Sequence, residues 1–199
     1  KIDESIENLV KEELQAEFFL DVRKNFVILN ADLKYGNETV KLYSNIDKTE
    51  KIIIRDIKKE NKILDTLNEL NFSYDKDKFI FNGNDDELYL FLKEKYKHLE
   101  ELGEVYYSDK FKERKVYNSP KITAGINETD NNYLEFNFNI EDISPSEYKQ
   151  ILEAVRNKRK YYKLKNNSFV NLEEKEINDF LELVDSIDPK NKDGNIKLS

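Results

Sequence analysis

The sequence predicts an α+β fold in which antiparallel hairpins pack with amphipathic helices, and three patterns predict it. Some segments have apolar residues at every second position, as half-buried strands do. They alternate with segments whose apolar residues recur every three or four positions, as in helices packed on one side. Short Asn-, Asp- and Gly-containing turns and Ser/Asn-x-x-Glu capping sequences mark the boundaries between them.

The N-terminal half begins with a predicted helix and three predicted strands. The segment DESIENLVKEEL places its apolar residues near one face of a helix. Alternation predicts strands at 18–22 and 26–35. A Gly36-Asn37 turn then leads into a third, short strand around 40–42.

A helix, a hairpin and a second helix complete this half. Asp56 can cap the first helix, and the polar turn at Asp75–Asp77 predicts a hairpin in FSYDKDKFIFN. Asn84 and Glu87 form a capping box, in which each side chain accepts a hydrogen bond from a backbone N–H of the helix start. Gly103 is suited to end that helix.

The C-terminal half repeats this order. A short strand in EVYYSDKF precedes a predicted hairpin in PKITAGINETDNNYLEFNFNI, and Ser144–Glu147 forms a second capping box at the start of a helix. A two-residue turn at Asn166-Asn167 predicts another hairpin, with Leu164 opposite Phe169. The sequence NLEE from Asn171 onward predicts the start of the last helix.

These elements predict one domain over residues 1–187. Each half is read as hairpin, helix, hairpin and capped helix, which suggests an internal duplication with similar halves at 16–103 and 104–187. Coincidence is the alternative, because hairpins and helices are common. Residues 188–199 have little to bury and are predicted to form a flexible tail or linker. The chain contains no Met, so we expect it to be part of a longer protein.

The composition excludes several classes of protein. The chain has 199 residues, and 38% of them are hydrophobic, which is enough for a folded core. Its net charge of −8 argues against a general attraction to DNA or anionic lipid, while a local basic patch remains compatible with it. The absence of Cys excludes disulfides and thiolate chemistry and favours the cytoplasm. No apolar stretch reaches membrane-spanning length.

No residue pattern indicates catalysis, a cofactor or a metal site. None of the five glycines precedes a Lys, so the sequence contains no phosphate-binding loop of the Gly-Lys type. His98 is the only His, and the acidic NGNDDE segment lacks the ligand spacing of a calcium loop. We therefore predict that this chain is not an enzyme. A hydrolase based on carboxylates is the least favoured alternative.

One short segment, which we call the basic segment, carries six cations between Arg156 and Lys165, beside Tyr161 and Tyr162. In one interpretation its first four cations occupy the last turn of a helix, where they interact with the helix dipole. In the other, the segment contacts phosphates and its tyrosines stack on bases. The candidate nucleic-acid contacts are Arg156, Lys158, Arg159, Lys160, Lys163 and Lys165.

An ordered set of motifs resembles the bacterial Swi/Snf helicase-associated domain, over roughly Ala16 to Ile187. The set comprises an aromatic strand with a terminal aspartate, a Tyr-Gly turn, an Arg-Asp helix start, the EVYYSDKF segment and a closing hairpin. They lie at Phe18–Asp21, Tyr35-Gly36, Arg55-Asp56, 104–111 and Lys160–Phe169. The family often has Gly in the last turn, where this chain has Asn167, which also tolerates a positive φ.

The resemblance implies a function that composition cannot supply. Such domains lie on the N-terminal side of a DNA-dependent ATPase core, commonly after a zinc-binding segment. It implies a non-catalytic accessory domain that positions DNA or regulates the ATPase. The implied partners are the C-terminal helicase core of the same polypeptide and double-stranded DNA. A protein-interaction scaffold without nucleic-acid contact is the alternative, and the salt dependence of DNA binding distinguishes the two.

Overall fold

Antiparallel hairpins and short helices alternate along the chain, and the α+β class predicted from the sequence is confirmed. The structure, a computed structural model, describes residues 9–43, 52–128, 134–188 and 194–198. The chain divides into two compact units, Lys1–Glu113 and Arg114–Ser199.

The described part of the first unit contains eight strands of two to ten residues. The strands are β1 (Leu9–Val10), β2 (Leu14–Arg23), β3 (Phe26–Tyr35), β4 (Glu38–Lys41), β5 (Ile52–Ile53), β6 (Phe72–Asp75), β7 (Lys78–Phe81) and β8 (Glu104–Tyr107). The helices are α1 (Ile57–Glu69), α2 (Asp85–Leu90), α3 (Lys97–Glu100) and α4 (Asp109–Lys112), with a π-helical turn at Phe91–Lys95 between α2 and α3.

One sheet dominates the first unit, with the strand order β6-β7-β3-β2-β8 and with β4 paired to β3. The long β2–β3 hairpin turns at Lys24 and Asn25, which both have positive φ values of 47° and 72°. Two such residues in succession give the turn twist that matches the right-handed twist of the flanking strands. Alternate residues of β2 face the core, which explains why apolar residues occur at every second position of this strand.

The core of the first unit combines one face of this sheet with aromatic rings. Phe72 lies 5.3 Å from Phe91 and 5.5 Å from Phe81 between ring centres, and both pairs meet edge to face. Helix α1 buries Ile63 and Leu67 at helical spacing, as the sequence predicted.

The predicted helix at DESIENLVKEEL is wrong where the structure describes it. Leu9 and Val10 form β1, which pairs with β5, and Leu14 begins β2. Residues 1–8 lie outside the described part of the chain. The apolar spacing in this segment fits a helix, but the pairing of β1 with a distant strand decides its conformation.

The second unit contains two small sheets and two longer helices. Its described strands are β9 (Val116–Tyr117), β10 (Ile122–Glu128), β11 (Leu134–Ile140), β12 (Tyr161–Lys163), β13 (Phe169–Asn171) and β14 (Asn195–Leu198). Its helices are α5 (Tyr148–Arg156), preceded by a 3₁₀ turn at Pro145–Glu147, and α6 (Lys175–Ile187).

The strands of this unit form the orders β10-β11-β14 and β12-β13-β9. Its core joins the apolar faces of α5 and α6 to both sheets. Tyr148 is fully buried, and its hydroxyl accepts a hydrogen bond from the Ile140 amide at 2.8 Å.

Residues 195–198, for which the sequence predicted part of a flexible tail, form a strand instead. β14 pairs antiparallel with residues Leu134–Asn137 of β11, and Ile196 is buried. The Phe138 amide also donates to the Gly194 carbonyl at 2.9 Å. The order of this segment depends on backbone pairing with β11, which local composition does not reveal.

The order of elements along the chain is similar in the two units, whereas their sheets differ. In the first unit both predicted hairpins contribute to one sheet, in which β3 pairs with β7. In the second unit the two hairpins belong to separate three-stranded sheets. An internal duplication predicts equal strand orders, and the described strands do not have them.

Candidate nucleic-acid interface

The basic segment begins at the carboxyl end of α5, which ends at Arg156. The Lys158 amide donates to the Val155 carbonyl at 2.8 Å, and the Arg159 amide donates to the Ala154 carbonyl at 3.0 Å. These two bonds form a Schellman motif, which places Lys158 in the left-handed region at φ 51°. The interpretation that places the first four cations in the last helical turn is therefore wrong, because the chain leaves the helix after Arg156.

Leu164 and Ser168 extend the pairing of β12 with β13 by one residue each, and residues 165–167 form a three-residue turn between them. The Leu164 amide donates to the Ser168 carbonyl at 2.8 Å, and the Asn167 amide donates to the Leu164 carbonyl at 2.9 Å. Asn167 has the positive φ that was expected of it, 64°. The sequence predicted a two-residue turn with Leu164 opposite Phe169. The longer turn shifts the register by one residue, so that Lys163 lies opposite Phe169.

A buried carboxylate fixes this turn to the start of α5. Glu147 is 6% exposed, and its Oε1 accepts the Lys165 amide at 2.9 Å. The sequence placed Glu147 in a capping box with Ser144, but Ser144 makes no capping bond and its hydroxyl contacts Ser146. The Glu147 side chain therefore positions the basic segment rather than the helix terminus.

Arg156 is engaged within the unit. Its Nε lies 2.7 Å from Oδ1 of Asp185 on α6, and its Nη2 contacts the same oxygen. This hydrogen bonding to Asp185 raises the pKa of the Arg156 guanidinium. Arg156, one of the six candidate contacts, therefore links α5 to α6 through this ion pair.

Most of the remaining cations are open to solvent. Lys163 is half-buried, with its Nζ 6.0 Å from the centre of the Phe169 ring. The others are exposed and make no ion pair with any residue in the described ranges: Lys158, Arg159, Lys160 and Lys165.

The cations are divided between two sides of the hairpin. Arg159 lines a cavity of about 240 Å³ together with Glu153 and Tyr162 on the α5 side. Lys163 lies on the other face of β12, where it is directly opposite Phe169. The structure therefore does not gather all six candidate residues on one surface.

The two tyrosines are occupied by packing. Tyr162 packs against the hydrophobic core, and burial raises the pKa of its hydroxyl. Tyr161 meets Phe169 edge to face, with ring centres 5.2 Å apart. The geometry of the segment therefore suits contacts with phosphates better than stacking of bases.

The position of β12 gives its lysines a second physical role. Among the described strands β12 is at the edge of its sheet. Lys160 precedes this strand and Lys163 ends it. Charged side chains on an edge strand hinder pairing with another chain.

Two motifs of the first unit meet in a buried network. The Tyr35 hydroxyl donates to Oε1 of Glu60 at 2.6 Å and accepts the Asp56 amide at 2.8 Å. Arg55 binds the Glu60 carboxylate through Nε at 2.9 Å and Nη2 at 2.8 Å. Tyr35-Gly36 and Arg55-Asp56, separate in the sequence, therefore stabilise one another. Burial is the main cause that raises the pKa of Tyr35 to about 12.

A pair of stacked aromatic residues, which the sequence pattern did not predict, lies on the outer face of the large sheet. Phe19 and Tyr106 lie opposite each other on β2 and β8, with ring centres 5.0 Å apart and planes at 13°. They are 37% and 43% exposed. The adjacent Phe18 is fully buried. Successive residues of a strand point to opposite faces, so the doubled Phe was the signal that one ring faces outward.

No group of His, Asp and Glu able to hold a metal ion occurs among the described residues. In the acidic NGNDDE segment, the Glu87 amide donates to the Asn84 side chain at 3.0 Å and Glu87 Oε2 accepts the Asn84 amide at 2.7 Å. The predicted capping box is thus confirmed, and His98 is exposed. None of the described helices has both the length and the apolar character needed to cross a membrane.

The chain matches a known protein family. A family described as "Bacterial SNF2 helicase associated" matches residues 1–199, the whole chain. No curated protein and no solved structure matches it.

Proposed function

The chain belongs to the bacterial SNF2 helicase-associated family, and we propose that it is a non-catalytic accessory domain of a bacterial Swi/Snf-type ATP-dependent DNA helicase or translocase. ATP binding and hydrolysis belong, in this proposal, to a helicase core elsewhere in the same polypeptide. The domain contacts double-stranded DNA weakly through the basic segment and so positions DNA for that core.

The proposed DNA contact rests on a group of exposed cations, which lie between α5 and β12 and in the turn that follows β12. Lys158, Arg159, Lys160 and Lys165 have no ion-pair partner in the described parts of the chain. Lysine and arginine side chains of this kind bind phosphate oxygens and release the counterions condensed on DNA. Glu147 holds the turn at Lys165 in place, so this cation is presented on ordered backbone.

The overall charge limits the strength of this contact. A net charge of −8 repels DNA from the rest of the surface. The division of the cations between two sides of the hairpin also allows only some of them to reach one duplex. We therefore expect binding that is weak without the helicase core and that falls steeply with salt.

Titration of a short duplex at low and moderate salt tests the proposal. Each phosphate contact contributes about −0.9 to the slope of log K against log salt. Replacing Lys160, Lys163 and Lys165 together by Gln should weaken binding and make this slope less steep by about 0.9 for each of the three that contacts a phosphate. Fluorescence anisotropy of a labelled duplex measures both quantities.

A matched control removes three exposed lysines outside the basic segment, namely Lys58→Gln, Lys62→Gln and Lys97→Gln. This variant has the same net charge as the test variant, so a general charge effect would weaken both equally. DNA binding absent at both salt concentrations, or equal loss in the two variants, would contradict the proposed contact.

A protein-interaction scaffold is the second candidate function, and the exposed Phe19–Tyr106 pair favours it. Glu17 and Glu104 lie beside the two rings, and Glu17 pairs with Lys34 at 2.5 Å. An aromatic pair surrounded by charges resembles the anchor of a protein interface. If Phe19→Ser abolishes stimulation or inhibition of the helicase core while duplex binding is unchanged, the scaffold function is the correct one.

A further inference from the structure

The β10–β11 hairpin has an open edge. Among the described strands β10 pairs only with β11, and Thr123 to Glu128 are all exposed. All seven residues of β10 lie in regular register with β11, without a bulge. Its sequence, ITAGINE, contains no Lys, Arg or Pro.

The backbone groups on this edge can be assigned from one hydrogen bond. The Lys121 carbonyl accepts the Glu141 amide at 2.9 Å, so Lys121 faces β11. Backbone direction alternates along an antiparallel strand, so the N–H and C=O groups of Ile122, Ala124 and Ile126 point away from β11. On β11, the Phe138 amide donates to Gly194 on the β14 side, which agrees with this alternation because Phe138 lies opposite Ala124.

The outward backbone groups belong to residues whose side chains share one face. Ile126 is 61% exposed, and Leu134, near the same end of the hairpin, is 48% exposed. Natural edge strands usually carry a lysine, a proline or a bulge that prevents pairing. β12 has lysines of this kind, and β10 does not. The edge therefore meets the requirements for adding a further strand.

We propose that β10 pairs with β10 of a second copy of this chain, antiparallel and about a two-fold axis at Ala124. This register places Ile122 opposite Ile126 of the other copy and Ala124 opposite Ala124. All three residues have their backbone groups directed outward, so the register forms about six hydrogen bonds between the copies.

The strand is self-complementary in charge and shape. Ile122, Ala124 and Ile126 carry no charge, and two β-branched side chains face each other across the axis, an arrangement that stabilises antiparallel pairs. Glu128, the one charged residue of β10, falls outside this central pairing. It would lie opposite Pro120, which has no N–H and ends the ladder. An isologous contact of this kind closes on itself as a dimer.

The oligomeric state of the full 199-residue chain tests the proposal. In sedimentation velocity the mass should rise with concentration from 23.7 kDa towards twice that value. Ala124→Pro removes an outward N–H that the hairpin does not use, so the chain should fold and remain monomeric at every concentration. Thr123→Lys places its charge on the opposite face, keeps the β10 edge intact and should still dimerise.

Hydrogen exchange gives a second readout that does not depend on any variant. At low concentration the amides of Ala124 and Ile126 should exchange rapidly, while those of Thr123 and Gly125 are protected by β11. At high concentration Ala124 and Ile126 should become protected as well. A chain that stays monomeric with these two amides unprotected overturns the proposal, as does a dimer that Ala124→Pro leaves unchanged.

Discussion

At the scale of single residues, Lys158 is in a conformation that suits glycine better. Its φ of 51° lies in the left-handed region, at the position following the C-cap of α5. A residue with a Cβ is destabilised there by contact between that atom and the backbone, and Gly avoids this contact. The chain therefore has a lysine where the helix end alone would favour glycine.

Lys158→Gly should raise the free energy of unfolding by about 0.5–1 kcal/mol, because it relieves the left-handed strain. Urea denaturation followed by circular dichroism measures the change. Lys158→Ala is the control, since it removes the charge and keeps the Cβ. An equal gain from Lys158→Ala would show that charge rather than backbone strain is relieved.

Tyr35 gives a pH-dependent contribution to stability. Its pKa is raised from 10.0 to about 12, mainly by burial and further by the hydrogen bond to Glu60. The folded state therefore holds this proton more tightly than the unfolded state does. The resulting stabilisation is fully present below pH 10 and is lost as the pH rises through 12.

Tyr35→Phe should cost about 1–3 kcal/mol at neutral pH, because the Asp56 amide and the Glu60 carboxylate lose a partner. Between pH 10 and 12 the stability of the wild type should fall towards that of the variant, since only the wild type must ionise Tyr35. Urea denaturation at a series of pH values gives both curves. If the difference in free energy of unfolding between the wild type and the variant stays constant from pH 10 to 12, the raised pKa of Tyr35 is contradicted.

At the scale of elements, the backbone at Gly103, between α3 and β8, passes so close to β2 that a side chain does not fit there. A Cβ built on Gly103 would lie 2.1 Å from the Ala16 carbonyl oxygen on β2. The next residue, Glu104, begins the parallel pairing of β8 with β2 opposite Glu17. Gly103 therefore does more than end the helix, the role that the sequence predicted. It also lets β8 join the sheet.

Gly103→Ala should destabilise the chain by about 1–3 kcal/mol, because the new methyl group would meet backbone that cannot move without disturbing β2. Gly125→Ala is the matched control, since a Cβ there meets nothing within 4 Å. Thermal denaturation of both variants measures the difference. Equal melting temperatures would show that β2 and β8 can separate without cost.

Two Asn-x-x-Glu sequences predict capping boxes, and only the first of them caps a helix in the structure. Asn84 and Glu87 form the predicted box, but Asn171 is buried at the end of β13, and its amide nitrogen donates to Asn118 at 3.0 Å. Helix α6 then begins at Lys175 without a side-chain cap. A capping box requires its first residue to stand at the helix boundary, and pairing of β13 with β12 and β9 moves that boundary.

At the scale of the whole molecule, the sequence contains no phosphate-binding loop of the Gly-Lys type. None of its five glycines precedes a lysine, and close approach of the backbone to phosphates depends on glycine. We therefore expect no saturable heat on titrating the chain with MgATP at micromolar concentrations and no release of phosphate. Saturable binding that is lost on substituting residues of this chain would contradict the division of labour proposed between this domain and a helicase core.

The sequence by itself determined the α+β class and the type of most elements. It also determined the Asn84 capping box and the positive φ of Asn167. These features depend on the period of apolar residues and on local hydrogen bonds, which operate within a few positions of the chain. The family resemblance was likewise carried by ordered local motifs, and the match over residues 1–199 confirms it.

Only the tertiary structure decided features that involve distant partners. Arg156 is paired because α6 brings Asp185 to it, and residues 195–198 are ordered because β11 offers an edge. Such contacts join residues far apart in sequence. Their free energies depend on which surfaces folding brings together, and local periodicity carries no information about that.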